Sequence, residues 1–228
     1  MAENACYTLL TSLPHIDSLF NSRITPISRF QLDRRLSMLD MADQERLVMI
    51  ENLLHWDHLA DDVNESALIR LAEKARDQLD SQTLRELVDW RLDMRTIVAA
   101  LRRKHLGEAA PTTAKWSYGT RYEYIRSHWS SPTLGLGKAF PWISKVAECL
   151  RTGNCVELEK TLLQAVWDQL NRLATRHQFD FEAVVIYVLR WNLVARWTSY
   201  DTGKAQVRFR KLIDKSLGEF RDQLPVSN

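Results

Sequence analysis

Glu51, His55 and His58 are the first residues in this chain with an obvious chemical use. They fall at i, i+4 and i+7, so one helix face would present all three, with Asp62 about a turn further on. A carboxylate and two imidazoles can ligate a metal, but a carboxylate-bridged di-metal bundle needs matching groups on facing helices. No second group of this kind occurs, and the zinc-protease pattern H-E-x-x-H is absent. The three are read as surface or half-buried helix positions, and a metal-binding helical-bundle enzyme stays only as an alternative. Gly135-Leu136-Gly137-Lys138 has the look of a phosphate loop. It lacks the P-loop spacing and the Lys-Ser/Thr ending, and it lacks the third glycine of a dinucleotide fingerprint. It is read as a structural turn whose loop Phe140 and Trp142 anchor to the core. No G-x-S-x-G is present, and Cys6, Cys149 and Cys155 form no C-x-x-C pair. The residues point to no catalytic centre and no cofactor.

A second chemical feature is a basic stripe, Arg91, Arg95 and Arg102, within the stretch Ser81–Gly107. That stretch reads as one long helix. Thr83 with Glu86 has the capping-box spacing, and Leu84, Leu87, Met94, Val98 and Leu101 recur at helical period. Gly107, with Pro111 beyond it, reads as the stop. Like charges four residues apart cost a helix about 0.2–0.5 kcal/mol. The stripe therefore makes most sense as a solvated basic edge or as a surface faced by carboxylates, from this chain or from a partner. The cluster Arg102–Lys104 and a basic last helix, from about Gly203 to Phe220 with Arg208, Arg210, Lys211 and Lys215 exposed, leave a nucleic-acid-binding helical module as another alternative. Against it stand 31 basic and 29 acidic residues, a balance unlike that of a protein dedicated to neutralising phosphates.

The elements that must carry these residues are helical. Only 7 glycines and 6 prolines occur in 228 residues, which favours an all-α fold. Cys6–Leu13 reads as a short extended opening, with β-branched Thr8 and Thr11 among leucines. A helix follows from Ser28 with Phe30, Leu32, Leu36 and Leu39 towards one side. Asp40 and Asp43 start another that runs to about Leu59, and Asn64–Leu79 makes a third with Leu68, Ala72, Ala75 and Leu79 inward. Short connections imply antiparallel neighbours, so residues 1–107 are read as a helical bundle. Residues 108–228 are read as a second helical region packed with the first as one body. In it, 108–119 is an exposed loop or hinge, a short helix spans Arg121–Trp129, and Pro141 opens a helix towards Leu150. Asn154 with Glu157 caps the next helix, and Asp180 caps one apolar on most of its circumference, which should be central. Asp93 precedes Ile97, Val98, Leu101 and Arg103 at the offsets at which Asp180 precedes Val184, Val185, Val188 and Arg190, the pattern of two repeated helical units. The 8 tryptophans are read as core or interface anchors. No stretch approaches the roughly 20 apolar residues that cross a bilayer, and the odd cysteine count suits a reducing compartment, so a cytoplasmic protein is expected.

The blocks YTLLTSLPHI, TPISRFQLDRRLSML, LDMRTIVAALRRK, IRSHW with GLG and FPW, and FDFEAVVIYVLRWNLVARW resemble a bacterial family encoded among the subunits of V/A-type rotary ATPases. Members occupy the place of the C subunit, called d in eukaryotes. That subunit is all-α, built of repeated units that carry a helix of the form acid-x-x-Asn-apolar followed by a basic residue. Asp93-Met94-Arg95-Thr96-Ile97 matches this form except that Thr96 stands for the Asn, and Ala183 stands there in the second copy. The resemblance implies a non-catalytic linker between the membrane rotor ring and the central stalk, serving proton or sodium transport. It would sit at the inner face of the membrane and touch it only through partners. On that reading, charge and exposure nominate Arg91, Arg95, Arg102, Phe140 and Trp142 as partner contacts.

Overall fold

A computed structural model describes residues 2–55, 65–112 and 116–199. Among these residues the fold is all-α, with nine helices and no strand. The proposed last helix at 203–220, with its exposed basic residues, lies outside the described residues, as do His58 and Asp62.

The chain opens with helix α1, Ala2–Ser12, where an extended segment was expected. Burial follows the helical period: Cys6 and Leu9 are buried, and Leu10 and Leu13 pack against the core. Thr11 tolerates the helix because its hydroxyl donates back to the Tyr7 carbonyl at 2.9 Å. Helix α2, Arg29–Leu36, starts at a full capping box between Ser28 and Gln31. Leu32, Leu36 and the following Leu39 are buried, but Phe30, two residues from Leu32 and thus on the opposite face, is 76% exposed. Asp40 caps α3, Met41–Leu54, by accepting from the Asp43 N–H. This helix stops at Leu54 rather than near Leu59, because His55 turns out of helical geometry at φ −55 and ψ 138. Helix α4, Glu65–Gln78, buries Ala72 and Ala75 with Leu79 just beyond it.

Helix α5, Gln82–His105, is the longest, and its cap is Ser81 rather than the expected Thr83–Glu86 box. The Ser81 hydroxyl accepts from Leu84, while Thr83 instead meets His177 Nε2 at 3.2 Å. Gly107, at φ +78, lets the chain turn left-handed, and the Glu108 N–H reaches back to the Arg103 carbonyl. Short α6, Tyr122–Ser127, leads through turns in which Leu134, Leu136 and Phe140 are buried, so the Gly135–Gly137 segment is the structural turn it was read to be. Helices α7, Ile143–Thr152, and α8, Cys155–Ala174, follow, with Asn154 capping α8 through the Glu157 N–H. The helix at 181–199, here α9, is capped by Asp180 through the Ala183 N–H at 2.9 Å.

Helix α5 packs against α3, α6 and α7; α7 also packs against α8, and α3 against α4. One hydrophobic cluster runs from Cys6 to Val194 through both halves of the chain. Val184, Val185, Ile186, Val188 and Val194 bury much of α9, as its composition predicts. Trp191 and Tyr187 tie α9 to the N-terminal loop by donating to the Ile27 and Pro14 carbonyls. The apolar positions of the proposed repeat are all buried, but the acids are not equivalent: Asp180 begins a helix, whereas Asp93 lies inside α5.

The segment before α6 also differs from the exposed loop expected there. Trp116, Ser117 and Gly119 are buried against α5. Thr96 Oγ1 lies 2.8 Å from Ser117 Oγ and accepts from the Gly119 N–H at 3.1 Å. A Cβ on Gly119 would sit 2.6 Å from Thr96 Oγ1, 2.7 Å from Asp93 Oδ1 and 3.2 Å from the Asp93 Cα, so only glycine lets the two backbones approach. Gly119→Ala should therefore destabilise the protein by about 1–3 kcal/mol, the usual cost of overpacking, seen as a lower midpoint in urea unfolding. An unchanged midpoint would mean the segment is not held against α5.

Candidate functional site

The polar residues inside α5 work on two opposite faces. Arg91 and Arg95, four apart, share one face; Asp93 and Thr96 turn towards 117–121.

On the first face, Arg95 is 1% exposed. Its Nη1 donates to the Leu53 carbonyl at 2.5 Å and its Nη2 to the His55 carbonyl at 2.7 Å. Carbonyls in the last turn of a helix have no intrahelical donor, and a planar guanidinium fork reaches two of them at once. Arg95 thus closes the end of α3 from a different helix. Burial draws its pKa down to about 10, so it stays charged at neutral pH. Arg91 is 3% exposed and donates from Nη1 to Met94 Sδ at 3.3 Å. Burial first, then the Arg95 charge, bring its pKa to about 9, and it too is a cation at neutral pH.

On the second face, buried Asp93 accepts from the Thr120 N–H at 2.5 Å, the Thr120 hydroxyl at 2.8 Å and the Arg121 N–H at 3.1 Å. The Arg121 guanidinium approaches to 3.3 Å. Burial pushes the Asp93 carboxyl up from the ordinary value, and these donors oppose the shift.

The basic edge expected on the surface is therefore largely internal. Arg91, Arg95 and Phe140 are buried, while Arg102 and Trp142 are half-buried. Arginine spacing alone could not reveal that α3 ends against one of them, Arg95. Asp93 between Arg91 and Arg95, with Thr96 beyond, was the available signal: a short polar run inside an otherwise apolar helix.

Glu51 and His55 do not share a metal-binding face. Glu51 takes Arg29 in a two-pronged pair at 2.7 and 3.0 Å and accepts from Asn192 Nδ2 at 2.8 Å, while His55 lies beyond the helix end. His177, Asp180 and Glu182 bring ligand-type atoms within 4.8 Å of one another. There His177 already bonds Asp180 at 2.6 Å and Thr83, and Asp180 caps α9, so those two residues serve local structure. In the proposed nucleic-acid cluster, Arg103 pairs with Glu108 and Lys104 donates to the Ser131 carbonyl.

A cavity of about 500 Å³ opens between α3, α5, α8 and α9 beside Arg91. Leu54, Leu87, Val166, Leu170 and Leu189 supply apolar wall, and the Arg29–Glu51–Asn192 network supplies a polar one. Another, about 600 Å³, lies beside Trp90, Phe140 and Trp142.

Arg95→Met should cost about 2–4 kcal/mol in chemical unfolding, because two carbonyls lose a charged donor; a cost under about 0.5 kcal/mol would contradict the cap. Asp93→Asn tests the opposite face. Since the folded carboxyl has a raised pKa, wild type holds its extra proton below that value and loses the associated stability as pH rises through it. The stability difference should move in favour of the Asn variant from about pH 4 upwards; movement the other way would contradict the burial of Asp93.

Neither the curated proteins nor the solved structures contain a match to this chain. A family described as proteins of unknown function, DUF2764, matches residues 57–219. That span takes in α4 to α9 and both polar faces of α5. The chain belongs to the DUF2764 family.

Proposed function

We propose that this protein is a non-catalytic subunit of a V/A-type rotary ATPase, a linker of the C/d kind between the central stalk and the membrane rotor ring. The observation that carries the reading is the resemblance of its sequence blocks, from YTLLTSLPHI to the α9 segment, to the family encoded with those ATPases. The all-α architecture agrees with it. A torque-bearing linker needs helices locked to one another, and the polar groups of α5 do that work here. Asp93 and Thr96, at the acid and Asn places of the C-subunit helix pattern, both fasten 117–121. Arg95 fastens α3. Among the described residues no helix is long and apolar enough to cross a membrane, in keeping with attachment through partners.

Of the proposed contacts, Arg102 and Trp142 keep accessible surface. A tagged copy expressed in its native cell should co-purify rotor-ring and central-stalk subunits. Arg102→Glu should reduce that recovery at least threefold while leaving thermal unfolding within a few degrees of wild type. Recovery of the tagged chain without either kind of subunit would overturn the proposal.

A further inference from the structure

The cavity beside Trp90, Phe140 and Trp142 has features that a linker does not need. Its volume of about 600 Å³ lies within the roughly 300–1,000 Å³ typical of small-molecule sites. One wall is a face of α8, and the other is aromatic. Trp90 and Phe140 lie 6.3 Å apart with their planes at 30°, and Trp142 stands 5.8 Å from Phe140 at 74°. The rings thus form a corner, and a flat aromatic occupant laid on one side of it turns its edge to the other. The charges on the lining favour neither a cation nor an anion, because Glu157 and Asp168 stand against Lys160 and Arg172. Lys160 is moreover drawn over the rings of Phe20 and Trp197, 5.6 Å from each. Two of the lining residues carry a buried polar atom with no hydrogen-bond partner: the donor Trp142 Nε1 and the acceptor Gln169 Oε1. Buried polar atoms are nearly always paired, since one left alone has given up its water for nothing. Here an unmatched donor and an unmatched acceptor belong to the same cleft.

We infer that this cleft binds an uncharged aromatic lactam, a planar ring with a carbonyl beside an N–H, as in oxopurine and oxopyrimidine bases. The ring lies on the aromatic corner, its carbonyl accepts from Trp142 Nε1, and its N–H donates to Gln169 Oε1. Both side chains are half-buried, and a turn about the outer torsion of each brings these atoms, closed to water in the empty cleft, onto the occupant. Stacking supplies most of the affinity, and the hydrogen bonds supply selectivity, because an analogue lacking one leaves a buried partner unpaired. The inference goes beyond the coupling role and does not depend on it.

The probes are inosine, uridine and their ring-methylated forms, 1-methylinosine and 3-methyluridine, each titrated calorimetrically into the full chain, with ribose as the blank. Inosine or uridine should bind one to one, and the tighter of them tells a bicyclic from a monocyclic ring. Methylation keeps the carbonyl and removes the N–H, so the methylated form of the tighter nucleoside should bind at least tenfold more weakly. Gln169→Leu should weaken the tighter nucleoside at least tenfold and leave its methylated form unchanged. Trp142→Phe, which keeps an aromatic ring and removes the donor, should weaken both forms alike. Ala165→Phe, which narrows the cleft without touching a charge, should abolish binding altogether. If one of these variants fails to fold, the others and the methylation comparison decide. No binding by either nucleoside, equal affinity for a nucleoside and its methylated form, or binding that survives Ala165→Phe would each overturn the inference.

Discussion

The structure depends on a charge held where charges are costly. Arg95 sits in the core, its guanidinium spread over the carbonyls of Leu53 and His55. Moving a cation out of water carries a penalty of several kcal/mol, and the hydrogen bonds to two carbonyls that would otherwise be buried without donors offset it. What the arrangement achieves is position. Helix α3 must end where the fork can reach its last turn, and α5 must lie with that face towards it. Once α3 and α5 are registered in this way, Asp93 and Thr96 face the other side and define where 117–121 settles and where α6 begins. One helix thus ties the first half of the chain to the second through groups on opposite faces, around a single apolar cluster.

The parts of the fold that could be read from the residues are those governed by local chemistry. Ser28, Asp40, Asn154 and Asp180 each begin a helix because a short side-chain oxygen can accept a free N–H nearby. The composition of α9 alone required a central helix. All but one of the misreadings share a cause: they turned on a partner distant in sequence. Thr83 has the right spacing for a cap, but its hydroxyl is claimed by His177. Helix α3 loses its expected last turn to Arg95, forty residues on. The segment around Trp116 and Ser117 is polar and glycine-bearing like a loop, yet it is buried because Thr96 and Asp93 supply its missing partners. At the N-terminus, β-branched threonines suggested an extended chain, and the period of Cys6 and Leu9 outweighed them.

The same distinction runs through the chemistry. Residues that looked like ligands or contacts by type and spacing are mostly engaged inside the molecule: Glu51 by Arg29 and Asn192, Arg95 by the Leu53 and His55 carbonyls. What the residue pattern could not show was the cavity beside Arg91, which residues of α3, α5, α8 and α9 line together. A rigid helical body with engaged polar groups suits transmission of force.

The central claim is that the Arg95 guanidinium is a fixed internal clamp, and nuclear magnetic resonance of the protein labelled at arginine reads it directly. The account predicts separate, slowly exchanging Nη protons for Arg95 at neutral pH, with scalar couplings across the hydrogen bonds to the Leu53 and His55 carbonyl carbons. A single averaged Nη signal in rapid exchange with water would contradict it.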